Sequence, residues 1–480
     1  MRRLKTLVGA VVLSLSFSQV AFASEPYSTY YYNDKLEPVP SIAGYTPDQV
    51  VSGLNNKIGN MSNPSDLVVK DNQCYVADTG NNRIVIYNIN NGEMEVSSVV
   101  DSFDNSGNED TFNQPQGLFV HEDGDIYIAD TENSRIVVLN DDGTLDRVID
   151  KPEVDVMQGD YMFTPRKIAV DVNDRIYIVA SSMTEGLMQL NADGDFLRFF
   201  GSNKVKPNIT EIFLRKILTD EQREKRVKFI PVEYSNISID KNGFVYATTL
   251  NVKEDQIKKL NYVGENIIRT KGRTKNVYGD ISADMPVMID VASDMHDNVY
   301  ALDKSTGRIF QYNTLGDMLT VFGGLGDSTG LFKNPVAIDC DENGNVYVLD
   351  SVKNNITSFK QTEFGSMVIK ANNSYIDGRY TEAMEAWQQV LKMNANYDLA
   401  YVGMGNAHLQ LKEYEEAMHN FKLGRDRVGY SKAFDKYRTE VLREKFPIIM
   451  TSLLVVVAIL FATSRIRENL KKRFNKYINA

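Results

Sequence analysis

Four oxygen-bearing side chains are the best candidates for joint chemistry in this chain: Asp66, Asn236, Asp290 and Asp339. Each falls at or near the first strand of a recurring strand–turn–strand unit. Carboxylate and amide oxygens converging on one point are what a calcium ion requires, and a calcium ion held that way would support hydrolase or lyase chemistry. Asp290 and Asp339 read as equivalent positions in adjacent units, which makes them the one suggestive pair. The competing reading is structural: polar side chains satisfied by backbone groups or by water.

Other catalytic constellations are missing from the sequence. Of the four histidines, His121 and His296 fall in hairpin turns, and His408 and His419 lie on helical segments. None is placed on a first strand, so a histidine–zinc site is not expected. There is no G-x-S-x-G elbow, no G-x-G-x-x-G after a strand and no nucleotide-binding loop. No residue is assigned as catalytic.

The elements that would position the four oxygens come from a repeat. Six short strands share a tyrosine: CYVAD (74–78), IYIAD (126–130), IYIVA (176–180), VYATT (245–249), VYALD (299–303) and VYVLD (346–350). A strand and a polar turn precede each. Many of those strands begin just after a proline (Pro64, Pro115, Pro165, Pro286, Pro335), a place where proline gives up no ladder hydrogen bond. A polar loop and a third strand follow, then a glycine turn and usually a fourth strand. Four strands at a period near fifty residues are the signature of propeller blades. The sixth copy has no evident fourth strand, and the strand-like run PYSTYYYN (26–33) has no partner of its own. The expectation is that residues 26–33 complete blade six and cover its edge.

The D-x-x-N-x-R-I pattern, in Asp78/Asn81/Arg83-Ile84 and Asp130/Asn133/Arg135-Ile136, resembles that of NHL-repeat β-propellers. Asp303 and Arg308 keep part of it, and the third and fourth copies lack both the acid and the arginine. The resemblance implies a six-bladed NHL/TolB-like propeller over residues 24–362, with the Asp–Arg pairs bracing loops. Cys74 and Cys340 sit at apolar positions of strands in the first and last copies, which a closed ring makes neighbours. They read as small buried hydrophobes, with a bridge as the alternative. An insert at about 203–230 carries Ile212, Leu214 and Ile217 among cations and reads as an amphipathic helix, either a lid, a docking knob or a decorated loop.

After the ring the period becomes helical. NNSYIDGRYTEAMEAWQQVL (372–391) and NAHLQLKEYEEAMHNFKLG (406–424) superimpose at an offset of 34 residues, matching Tyr380 to Tyr414, Ala383 to Ala417 and Trp387 to Phe421. The pattern resembles tetratricopeptide repeats, here over 363–446, with 430–446 supplying a further helix. The alternative is a plain helical stalk. Trp387 and Tyr380 read as core residues.

The two ends predict export and anchoring. Residues 1–23 carry Arg2, Arg3 and Lys5, an apolar run and Ala21-Phe22-Ala23, the form of a signal peptide. PIIMTSLLVVVAILFATS (447–464) is uncharged and long enough for a helix to cross a bilayer. The following tail, 465–480, has six cations and one acid, which places it in the cytoplasm. Setting the leader and the tail aside leaves 44 basic against 63 acidic residues, a net charge near −19. Nucleic acid is not a suitable partner for such a body.

These features imply a membrane-anchored, extracytoplasmic binding or scaffold protein. It would use propeller and repeat surfaces toward a protein partner, a membrane complex such as a transporter, or a polysaccharide. The alternative is a metal-dependent propeller hydrolase or lyase, lactonase-like, with calcium in the channel. Fold alone does not argue for activity.

Overall fold

A computed structural model describes the chain apart from residues 1–24, 34, 54–57, 91, 155–160, 204–231, 251–254, 269–278, 280–285, 315 and 479–480. The expected signal peptide and nearly all of the expected helical insert lie outside the described residues. The chain divides into two compact units, Met1–Ser366 and Met367–Ala480.

The first unit is a six-bladed β-propeller. Blade 1 runs outward through Asp66–Lys70, Gln73–Asp78, Arg83–Asn90 and Glu93–Val100. Blades 2, 3 and 5 repeat that meander from inner strands Pro115–Val120, Pro165–Val170 and Met288–Ser293. Blade 4, with inner strand Tyr234–Ile239, has three strands among the described residues. Blade 6 contributes Pro335–Cys340, Val346–Asp350 and Asn355–Gln361. The inner strands neighbour one another all the way round, blade 6 meeting blade 1.

A strand from the N-terminal region closes the ring, but it is not 26–33. Tyr45–Ser52 pairs with Asn355–Gln361 as the outer strand of blade 6. Tyr30–Tyr32 instead pairs with Pro38–Pro40 in a separate hairpin and lies beside Met318–Gly323 of blade 5. Pro47 hides the true closing strand in the sequence. It is tolerated because the strand is at a sheet edge, next to a break in register between Thr357 and Phe359. Alternation is kept, with Val51 buried and Val50 half exposed.

The core lies between blades rather than within one. Ile136, Val138 and Ile149 of blade 2 pack with Ile168, Ile176 and Met188 of blade 3. Val76, Val85 and Tyr87 of blade 1 pack with Ala337, Tyr347 and Leu349 of blade 6. All six repeated tyrosines are buried, Tyr127 and Tyr347 in these two seams. In blades 3, 5 and 6 the hydroxyl of Tyr177, Tyr300 or Tyr347 donates to the carboxylate of Asp171, Asp294 or Asp341 in the preceding turn. The other oxygen of each carboxylate, Oδ1, accepts that turn's backbone N–H groups. Tyrosine therefore recurs because its ring fills a seam and its hydroxyl has a buried acceptor.

The D-x-x-N-x-R residues brace loops, as expected. Asp78 accepts from Arg83 Nε at 2.7 Å, Asn81 Nδ2 at 2.8 Å and the Ser62 amide at 2.7 Å. Asp130 repeats this with Arg135, Asn133 and the Asn113 amide. Asp303 accepts from Ser305, Thr306 and the Val287 amide, while Arg308 lies over the Tyr30 ring. Both cysteines are buried free thiols.

The second unit is helical: α1 (Glu363–Ile376), α2 (Tyr380–Met393), α3 (Asp398–Gln410), α4 (Tyr414–Leu423) and α5 (Arg427–Ile478). Ala383 and Ala417 are fully buried, and Trp387 and Phe421 fill the space between helices, as the aligned positions predicted. Close packing there depends on glycine. A Cβ on Gly403 would lie 2.2 Å from Trp387 Nε1, and one on Gly405 would lie 2.8 Å from the Phe421 ring. α5 is the one helix, among the described residues, long and apolar enough to cross a membrane.

Candidate functional site

Register within the blades fixes which side chains meet around the central channel. In each blade one inner-strand residue pairs with the residue just before the end of the second strand. These positions are Asp66, Gly117, Lys167, Asn236, Asp290 and Ala337. They form one tier. In blades 2 to 6 the tier residue follows a break in register, which turns it toward the channel.

Three of the four sequence candidates, Asp66, Asn236 and Asp290, share this tier. Asp339 does not: the blade 6 equivalent of Asp290 is Ala337, and Asp339 lies two residues further along, opposite Tyr347. The expected equivalence of Asp290 and Asp339 is thus corrected by one full period of the strand. Both line the same cavity all the same.

The sequence reading missed Lys167. Its ammonium sits 2.5 Å from Asp66 Oδ1 and donates to the Ser65 carbonyl at 3.2 Å. A signal was available. In blades 1, 2, 3 and 6 the tier residue is the second after the proline that opens the inner strand, as in Pro64-Ser65-Asp66 and Pro165-Arg166-Lys167.

Most of the oxygens are committed to the backbone. Asp66 Oδ2 accepts the Leu118 amide of blade 2 at 2.9 Å. Asp290 Oδ2 accepts the Ile338 amide of blade 6 at 2.8 Å, and its Oδ1 accepts the Val291 amide. Asp339 Oδ2 accepts the Val69 amide of blade 1 at 2.8 Å, and its Oδ1 accepts the Cys340 amide. Asn236 Oδ1 accepts the Ile237 amide. An inner strand has an unpaired edge toward the channel, and each aspartate satisfies one edge amide of the next blade.

Burial sets the ionisation. It pushes the Asp290 carboxyl up to about 8 and the Asp339 carboxyl up to about 7, against the pull of their amide donors. Burial also raises Asp66, and the Lys167 ammonium beside it pulls the other way.

Tested as a calcium shell, this donor set does not fit. Among the described residues no three His, Cys, Asp or Glu side chains are grouped so as to hold a metal ion. The oxygens face separate edge amides instead of one common point. What the tier and the strand ends below it line is an open cavity of about 270 Å³, about equally polar and apolar. It reaches from Asp66, Lys167, Asn236, Asp290 and Asp339 to the turns that follow the inner strands, at Lys70, Glu122, Asp171 and Lys241.

Fold and channel together define a six-bladed β-propeller. The family model described as the SMP-30/Gluconolactonase/LRE-like region matches residues 37–158, which span the closing strand and blades 1 and 2. No curated protein matches the chain. Among solved structures, virginiamycin B lyase from Staphylococcus aureus is 11% identical, with 66% of this chain and 100% of that one covered and a TM-score of 0.42. A Bacteroides thetaiotaomicron protein of unknown function is 12% identical, with coverage of 69% and 90% and a TM-score of 0.43. A putative gluconolactonase is 11% identical, with coverage of 70% and 98% and a TM-score of 0.42. Likenesses this distant carry nothing about activity.

Proposed function

We propose that this chain is a membrane-tethered, extracytoplasmic binding protein that offers its propeller and helical repeats to a protein partner or membrane complex. The observation that carries this is the use of the channel carboxylates. Asp66, Asp290 and Asp339 hold neighbouring blades together, so the residues most suggestive of chemistry already have structural work. The rest of the chain concerns display. α2 to α4 resemble tetratricopeptide repeats, a form that presents a concave binding surface. α5 carries an uncharged apolar stretch followed by cations, which suits a single crossing with the tail inside. The excess of acids on the body disfavours nucleic acid as the partner.

Two measurements test this reading. Alkaline extraction of membranes should leave the full chain in the pellet and release a chain ending at Phe446. Cross-linked complexes purified in detergent should contain an envelope protein that is lost when residues 367–446 are removed. Release of the full chain by alkali, or recovery of the same set of proteins without 367–446, would count against it.

A second reading is a lactonase-like hydrolase or lyase. It is favoured by the family model over 37–158 and by Asp290 and Asp339, whose carboxyls exchange protons near neutrality. Hydrolysis of D-glucono-1,5-lactone by the purified chain, with and without calcium chloride, decides it. A rate no different from that of a D290N variant would dispose of it.

A further inference from the structure

The segment that follows the apolar run of α5 has a feature that a single crossing does not require. α5 continues as one helix to Ile478, well past Ser464. On that stretch Ile466, Leu470 and Phe474 are 57%, 60% and 67% exposed. Residues four apart step round a helix by only about 40°, so the three form one apolar stripe roughly 12 Å long.

The charges are ordered about the stripe. Helical spacing sets Arg467 and Lys471 along one border and Arg473 along the other. Glu468, the one acid between 465 and 475, falls on the opposite face. A cationic flank is all that a crossing with its tail inside asks for. It calls for neither an apolar stripe nor an acid turned away from it. A helix that lies in the plane of a membrane surface has both.

Distance separates the two cases. Continued straight along the membrane normal, the helix would set Phe474 roughly 15 Å past Ser464, beyond a headgroup layer of about 5–8 Å. The whole stripe meets lipid only if this stretch inclines onto the bilayer.

Charge selects the occupant. Arg465, Arg467, Lys471, Lys472 and Arg473 stand against Glu468 alone. Each cation held near an anionic leaflet favours the bound state by roughly fivefold. A zwitterionic surface offers the stripe its hydrocarbon and the cations little. A protein groove would need acids along both walls to match the two cationic borders.

We propose that residues 466–474 form an amphipathic foot that lies on anionic phospholipid, with Ile466, Leu470 and Phe474 turned to the acyl boundary and Arg467, Lys471 and Arg473 on the headgroup phosphates. The proposal rests on the reading of α5 as a membrane crossing, and the test separates the two.

F474W and L454W, the latter within the apolar run, are made singly in the full chain. Each is placed in nanodiscs of phosphatidylcholine alone or with about 30% phosphatidylglycerol, a surface charged enough to attract a basic segment. Quenching of tryptophan emission by lipids brominated on their acyl chains is the readout. Trp387 is buried in the helical unit, and its constant background is read from the parent chain. L454W should be quenched in both bilayers. F474W should be quenched and shifted to the blue only with phosphatidylglycerol. Adding R467Q/K471Q/R473Q to F474W should lower the ratio of bound to free foot by about a hundredfold. L454W quenched with F474W unquenched in both bilayers would overturn the foot and leave the crossing. Equal quenching of F474W in the two bilayers, or no effect of the triple change, would overturn the role of anionic headgroups. F474W emission shifted to the blue but unquenched would assign the stripe to a protein neighbour instead. L454W unquenched would remove the crossing and the foot together.

Discussion

Lys167 of blade 3 reaches Asp66 of blade 1 across the whole width of blade 2, with Nζ and Oδ1 2.5 Å apart. Asp66 spends its other oxygen on the Leu118 amide of the blade that is crossed. Three blades are thereby tied at one point, and both side chains are nearly buried. A pair of this kind is not in itself strongly stabilising, because desolvation offsets the attraction. Breaking it from one side is another matter.

K167M should therefore destabilise the propeller by about 3–5 kcal/mol, because it strands the Asp66 carboxylate in the channel. D66N/K167M should recover part of that loss, since no unpaired charge is left. Urea midpoints for the two variants and wild type check the order. A double variant less stable than K167M would show that the pair holds the blades by more than charge.

The crossing depends on the residue it passes over. Gly117 is the blade 2 member of the tier, and a Cβ there would lie 2.3 Å from the Arg166 carbonyl oxygen and 2.9 Å from Lys167 Cα. Both are backbone atoms, so neither swings away. G117A should cost about 1–3 kcal/mol, as overpacking does. It should also lower the unfolding midpoint without changing the slope on denaturant.

Ring closure by Tyr45–Ser52 makes a prediction about side-chain parity. Val51 is 3% exposed and packs in the seam between blades 6 and 1, while its neighbour Val50 is half exposed. V51D buries an unpaired carboxylate at the closure and should abolish cooperative unfolding or shift it by several kcal/mol, on the order of the larger core substitutions. V50D should stay within about 0.5 kcal/mol of wild type. The reverse order would mean that the strand is slipped by one residue.

Much of this architecture is legible in the chain because the repeat is strict where seams are packed. The tyrosine, its preceding turn and the D-x-x-N-x-R loop recur since each satisfies a buried polar group. Legibility fails where one position does two jobs. Pro47 marks a strand as broken, yet an edge strand tolerates it, and so 26–33 looks like the better closing partner. In blade 5 the tier residue is four positions after Pro286, whereas in blades 1, 2, 3 and 6 it is two. The shared Ile-Asp at 289–290 and 338–339 aligns Asp290 with Asp339, whereas counting ten residues back from Tyr300 and Tyr347 gives Asp290 and Ala337. Lys167 escaped notice because a lysine in an inner strand reads as solvent-facing until Asp66 is placed opposite it. The channel's donor–acceptor balance depends on how six blades are spaced, since Asp66, Asp290 and Asp339 each meet an amide of the next blade. No single blade's sequence contains that.

Acid titration should expose the buried carboxyls directly. Unfolded, Asp290 and Asp339 titrate in the ordinary carboxylate range, near pH 3.9. Folded, burial holds them at about 8 and about 7. Between roughly pH 4 and 8 the native state therefore carries more protons at these positions than the unfolded chain does. Their contribution to stability is present at the acid side of that window, falls as pH rises through it, and is level above about pH 8. Asp110, whose carboxyl the Arg135 guanidinium holds at about 2, acts with the opposite sign but only below pH 4, outside the window. D290N removes the proton-binding group and keeps an oxygen for one of the two amides. Urea unfolding at pH 5 and pH 8.5 should show wild type losing more stability over the interval than D290N, and D290N losing more than D290N/D339N. Equal losses in all three would mean that the channel carboxyls stay ionised throughout, with the edge amides outweighing burial.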